Sequence, residues 1–178
     1  TVGTLTEIHH FLRLLFVKLG VQHCPDCGIA IEPQSREAIL ERILADHSGR
    51  RVQLLAPLIV ARKGLYADLA AWAWRKGYTL LRVDGEMQPT EAWPRLDRYR
   101  EHTIDLPLGE AVADAGQAAE LGALLDQALS YGRGVVKVQP ERGTETVFST
   151  RRACPGCGRS FPEPDPRLFS YNSKHGWC

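Results

Sequence analysis

Apolar and polar positions alternate along this chain with two different periods. Between Thr4 and Leu19, the residues Ile8, Phe11, Leu12, Leu14, Leu15, Phe16 and Leu19 fall on more than one face of a predicted helix, the pattern of a helix packed on several sides and in need of neighbours. Gly20 supplies its stop. Ser35 can cap a second helix with Ile39, Leu40, Ile43 and Leu44 on one stripe, after which Arg51 to Ala56 reads as a strand halted by Pro57. A helix from about Tyr66 to Lys76 ends at Gly77. Tyr78 to Val83 then reads as a strand entering the tight-turn pair Asp84-Gly85, with Glu86 and Met87 starting the return strand of a hairpin. Thr103 to Leu106 is a short strand. Gln117 to Ser130 is a helix striped by Leu121, Leu124, Leu125, Ala128 and Leu129, and Val135 to Gln139 and Glu145 to Thr150 flank the loop Pro140 to Thr144 as a second hairpin. The mixture predicts an α+β fold: a compact inserted domain over residues 31–150, bracketed by segments 1–30 and 151–178.

Composition narrows the class. Apolar residues at 44% and charged residues at 24% are ordinary for a globular protein and exclude disorder, coiled coil and collagen-like structure. No apolar run approaches the roughly 18 residues of a membrane span, and the N-terminus lacks the pattern of a signal peptide, so no membrane association and a cytoplasmic location are expected. The net charge of +1 is uneven. Residues 31–150 hold 15 Lys and Arg against 17 Asp and Glu, whereas residues 151–178 hold 5 against 2. That basic end suits a phosphate backbone.

The cysteines are the strongest chemical signal. Cys24-Pro25-Asp26-Cys27-Gly28 and Cys154-Pro155-Gly156-Cys157-Gly158 share one pattern, in which a tight turn aims two thiolates at one ion and the glycine lets the backbone curl round the sulfurs. One arrangement joins Cys24 and Cys27 to Cys154 and Cys157 in a single four-thiolate site. The other makes Cys154, Cys157 and Cys178 ligands of a second site whose fourth ligand is not in this sequence. Either way a structural zinc is expected, because four-cysteine sites leave no open position for water. His23 and His175 are candidates for a substitute ligand. No phosphate-binding glycine loop, nucleophile elbow or His-Glu-x-x-His helix occurs, and no catalytic residue is assigned. Arg62-Lys63-Gly64, in a loop, and Arg82, near the Asp84-Gly85 turn, are candidates for partner recognition through bidentate contacts with carboxylates.

Longer blocks carry a family resemblance. Thr1 to Ile8, Leu12 to Phe16, the first cysteine knuckle, Leu55-Ala56-Pro57, Arg62-Lys63-Gly64, Arg82 to Glu86, His102 to Asp105, Ala153 to Gly158 and Pro166 to Asn172 resemble, in the same order, the first half of the UvrA family of bacterial excision-repair ATPases. The resemblance implies that residues 1–30 are part of the first ATP-binding domain, that 31–150 is the inserted UvrB-binding domain, and that 151–178 starts a zinc module in the signature region. By the same resemblance Cys154, Cys157 and Cys178 belong to one four-cysteine module and Cys24 and Cys27 to a separate site. It also implies Arg82, Arg62, Lys63 and Glu86 as UvrB contacts, and a parent that hydrolyses ATP, dimerises and acts on damaged DNA. Two departures stand out: Leu65 where the family has an acidic residue, and Gly109-Glu110 where it has an Asp-Arg pair. The rival readings are a nucleic-acid-binding zinc module gripping through Arg151, Arg152, Arg159, Arg167, Phe169 and Tyr171, and an enzyme using a zinc-activated water, which the mostly thiolate ligand set disfavours.

Overall fold

The computed structural model describes residues 7–31, 33–152, 154, 159–161 and 164–170. It divides into two compact units, one formed by Thr1–Pro33 with Arg152–Cys178 and the other by Gln34–Arg151.

The larger unit is an α+β domain. Helices α2 (Arg36–Asp46), α3 (Ala67–Arg75) and α4 (Ala118–Tyr131) accompany strands β1 (Arg51–Lys63), β2 (Leu80–Val83), β3 (Glu86–Pro89), β4 (Glu101–Val112), β5 (Val135–Pro140) and β6 (Thr146–Ser149). The strands form one sheet in the order β3-β2-β4-β1-β5-β6, with every neighbouring pair antiparallel. Local chemistry explains many boundaries. The Ser35 hydroxyl accepts a hydrogen bond from the Ala38 amide at 3.1 Å and opens α2. Asp84 and Gly85 both have positive φ, 51° and 96°, as a two-residue turn matched to the twist of a hairpin requires.

Two strands run longer than the sequence suggests. β1 continues through Pro57 to Lys63, and β4 covers twelve residues rather than Thr103 to Leu106. Pairing of β1 with β5 ends at Leu55, so Pro57 lies where that side of the strand has no ladder bond to lose. Pro107 occupies the matching position on β4, past the last residue paired with β2.

The core has two parts along the sheet. Ile39 and Ile43 of α2 and Leu121 and Leu125 of α4 pack on Val52, Leu54, Val136, Val138 and Phe148. Ala70 and Ala73 of α3 pack on Ala56, Leu81, Val83, Ile104 and Leu106, closed by Trp72, Tyr78 and Tyr131. A register shift between Leu54 and Leu55 lets β1 bury Leu54, Leu55 and Ala56 in succession. The chain enters and leaves this unit side by side, since the Gln34 amide donates to the Thr150 carbonyl at 3.2 Å.

In the smaller unit, α1 (Ile8–Leu19) has no buried residue. Its Phe11, Phe16 and Leu19 are 62%, 51% and 75% exposed. The neighbours its apolar faces call for are not among the described residues. Its Phe16 stacks on Phe169 of the 3-10 turn Pro166–Phe169, with centroids 5.5 Å apart.

Candidate functional site

The first candidate lies in the smaller unit. The Cys24 amide donates to the Ile29 carbonyl at 2.8 Å, and the Ile31 amide to the Gln22 carbonyl at 2.9 Å. The second knuckle repeats both bonds: Cys154 donates to Arg159 at 2.9 Å and Phe161 to Arg152 at 3.0 Å. The repeats stand 130 positions apart in sequence and are tied at equivalent residues, Arg152 Nη2 donating to Gln22 Oε1 at 2.7 Å. Gly28 takes φ 68°, the left-handed turn for which its position after the second thiol calls. His23 is engaged in its own knuckle, its Nδ1 lying 2.9 Å from the Gly28 carbonyl oxygen.

The outcome is that Cys24, Cys27 and Cys154 bring their sulfurs within 4.8 Å of one another, with Cys24 and Cys154 buried. Sulfurs on one tetrahedral zinc, each 2.3 Å from it, lie about 3.8 Å apart, so the three thiols fit such an ion. This geometry favours the arrangement that joins Cys154 to the first pair. Cys157, Cys178 and His175 lie outside the described residues.

The cations proposed for a phosphate grip by this end are differently used. Arg159 Nη1 pairs with Asp26 at 2.8 Å and its guanidinium lies over Phe161, while Arg167 pairs with Asp165 at 2.9 Å. Tyr171 lies outside the described residues.

The second candidate lies on the larger unit. Arg82 alternates with the core residues Leu81 and Val83, and Asp105 with Ile104 and Leu106, so both side chains take the sheet face away from the core. Arg82 Nη2 donates to Asp105 Oδ2 at 2.6 Å and also to Glu145. Lys137 Nζ lies 2.9 Å from Asp105 Oδ1 and 3.7 Å from Glu145. Burial works against the charge on Arg82, but its hydrogen bonds to Asp105 and Glu145 outweigh it and raise its pKa. With its side chain only 12% exposed, Arg82 anchors a four-residue ion network rather than standing free beside the turn. The sequence conceals this network because its members come together only through strand register.

Arg62, Lys63 and Glu86 are exposed at one end of the sheet. Arg62 pairs in register with His102, and Lys63 with Glu101. His102 is buried, with Nδ1 2.8 Å from Asp84 Oδ2 and Nε2 2.9 Å from the Asp97 carbonyl. A carboxylate and a carbonyl both accept, so this pair of bonds favours the doubly protonated ring. Burial disfavours that charge, yet the hydrogen bonds to Asp84 and Asp97 prevail and raise the His102 pKa. Burial likewise opposes ionisation of Asp84, and the Thr103 amide and His102 override it to lower its pKa. His102 thereby fastens the β2–β3 turn and the segment through Asp97 to β4. In the sequence it stands out only as the first residue of the block His102 to Asp105 that carries the family resemblance.

The two departures from the family pattern have local settings. Leu65 is 44% exposed and its carbonyl accepts from Trp93 Nε1 at 3.1 Å. A Cβ on Gly109 would sit 2.9 Å from Leu124 Cδ2, so a larger residue there requires the Leu124 side chain to shift. Glu110 lies 3.6 Å from Arg51 across the β1–β4 ladder.

Comparison with known proteins gives a consistent result. A family model described as UvrA interaction domain matches residues 34–142. The chain is 39% identical over 178 residues to UvrABC system protein A of Bacillus subtilis (strain 168), 37% over 179 to that of Aquifex aeolicus and 40% over 181 to that of Thermus thermophilus. Each match covers 100% of this chain and 19% of the relative, so the chain spans about a fifth of the length of the curated relatives it matches.

Proposed function

This chain belongs to the UvrA family and carries its interaction domain, and from that premise we propose that residues 34–151 dock UvrB within the damage-recognition step of bacterial nucleotide excision repair. Residues 1–30 are read as part of an ATP-binding domain and residues 151–178 as the start of a zinc module. ATP hydrolysis, dimerisation and contact with damaged DNA are assigned to the longer cytoplasmic parent. A structural zinc fits Cys24, Cys27 and Cys154, with Cys157 the fourth thiolate by its knuckle spacing. Such an ion supplies cross-linking and no reactive water, because an all-thiolate site is closed.

One observation supports the docking role above the others. The family match falls inside one unit with its own core, and that unit presents Arg62, Lys63 and Glu86 exposed at a single end of a rigid sheet. Arg82 contributes from within its ion network, holding Asp105 and Glu145 on the adjoining face.

Calorimetric titration with UvrB from the same source tests the reading. Arg62→Glu with Lys63→Glu weakens binding by a factor of ten or more, about 1.4 kcal/mol, with the fold unchanged. Arg82→Glu weakens it too, accompanied by a lower melting temperature because the ion network is lost. A zinc-loaded, folded wild-type chain that shows no heat of binding refutes the docking role.

A further inference from the structure

The larger unit is nearly neutral as a whole, yet its charge is locally sorted. The segment Arg95-Leu96-Asp97-Arg98-Tyr99-Arg100 places three arginines and an aromatic ring within six residues. All three arginines are exposed, and Tyr99 is 70% exposed. Three ties hold the segment in place. Trp93 Nε1 donates to the Leu65 carbonyl at 3.1 Å, His102 grips the Asp97 carbonyl at 2.9 Å, and the Arg100 amide donates to the same carbonyl at 3.2 Å.

These ties set the segment beside Arg62 and Lys63. Arg98 lines an open cavity of about 720 Å³ together with Gly64, Leu65, Tyr66 and Asp68, immediately after Lys63. Arg100 precedes the residues that pair with Lys63 and Arg62 in the β1–β4 ladder. Of the acidic members of the neighbourhood, Asp84 accepts from His102 and Thr103 and Asp97 Oδ1 accepts the Tyr99 amide at 2.9 Å, while Asp68 lines the same cavity as Arg98 and Glu101 stands opposite Lys63 in the ladder. None of Arg62, Lys63, Arg95, Arg98 and Arg100 forms an ion pair with a described residue.

We infer that this arginine-rich strap, Arg95, Arg98 and Arg100 with Tyr99 at its tip, is a nucleic-acid contact beside the docking residues Arg62 and Lys63. Cations strung along an exposed edge match the repeating phosphates of a backbone. Arg98 lies over the Tyr99 ring at 4.8 Å, holding one face and leaving the exposed remainder of the ring for an unstacked base.

The 178-residue chain, zinc-loaded, is titrated with a fluorescein-labelled single-stranded oligonucleotide and with its duplex by anisotropy across a salt series. Replacing Arg95, Arg98 and Arg100 together by Ala weakens binding at least tenfold at low salt. It also lowers the single-strand salt slope by about 2, the value for three lost phosphate contacts. The triple Lys replacement restores the slope. Tyr99→Ala weakens single-strand binding by roughly five-fold or more at unchanged slope and leaves the duplex nearly unaffected.

Three outcomes overturn the inference. One is equal binding by wild type and the triple Ala variant. Another is transfer of the loss to Arg151→Ala with Arg152→Ala. The third is a triple Ala variant that binds nucleic acid normally but fails to bind UvrB, which would make the strap a protein contact. Because UvrB titration is run on the same proteins, failure of this inference and failure of the docking reading are separately visible.

Discussion

The two units solve the problem of staying folded in different ways. Residues 34–151 close a core in which Phe148, Leu54, Leu121 and Leu125 are wholly buried by side chains of their own unit. The other unit exposes the apolar faces of α1 and instead gathers three sulfurs within 4.8 Å around two short knuckles. Hydrophobic burial rises with the size of a domain, and among the described apolar residues of this unit only Cys24 and Cys154 are buried. Where burial is scarce, a metal cross-link is the chemical substitute.

Withdrawing the metal breaks the comparison most sharply. Structural zinc contributes on the order of 10 kcal/mol or more to the folding of small sites, so chelation at neutral pH should abolish amide protection at Cys24, Gly28 and Ile31. Protection at Val52, Leu54, Ile104 and Val138 should persist, as hydrogen exchange read by mass spectrometry would show. Joint loss would mean that the units are not energetically separate. Next in size is Phe148→Ala, which removes a fully buried ring. It should cost about 3–5 kcal/mol in the denaturant-induced transition of the larger unit while leaving bound zinc, counted by metal analysis, unchanged. Phe16→Ala removes a ring that is half exposed and stacked once. It should cost no more than about 1 kcal/mol, and a larger loss would show that α1 is already covered.

The smallest effect concerns pH. His102 has its pKa raised from 6.5, so its pairing is fully stabilising below that value and is lost as pH rises through the folded-state pKa. Asp84 has its pKa lowered from 3.8, so its share is present above 3.8 and is lost as pH falls through the folded-state value. The pair therefore stabilises the larger unit most between about pH 4 and 6.5. Melting temperatures of the wild type should exceed those of His102→Gln by most in that window, and a difference that grows toward pH 9 would contradict the imidazolium assignment.

Features written within a few residues were legible in the sequence. Ser35 as a cap, Gly77 as a stop and Asp84-Gly85 as a hairpin turn each depend on neighbours along the chain. Pro57 was misleading because whether a proline ends a strand depends on which flank is paired, and that is set by β5, some eighty residues on. Arg82 illustrates the same limit at the site. Its partners Asp105 and Glu145 are 23 and 63 positions away, and an arginine that looks available in sequence becomes an internal anchor once the strands register. The spacing of the cysteines announced a metal, but placing Cys154 with Cys24 and Cys27 required the fold, because the two knuckles are otherwise identical invitations.

The hydrogen bond between the Gln34 amide and the Thr150 carbonyl has an evolutionary and practical corollary. A domain whose first and last residues touch can be spliced into a surface turn of a host without prying that turn apart, and can be removed by a short glycine bridge that closes almost no additional loop. Residues 34–151 are thus a transplantable cassette: joined through their adjacent ends to an unrelated scaffold, they should carry their own fold with them, and a host deprived of them should close over the scar.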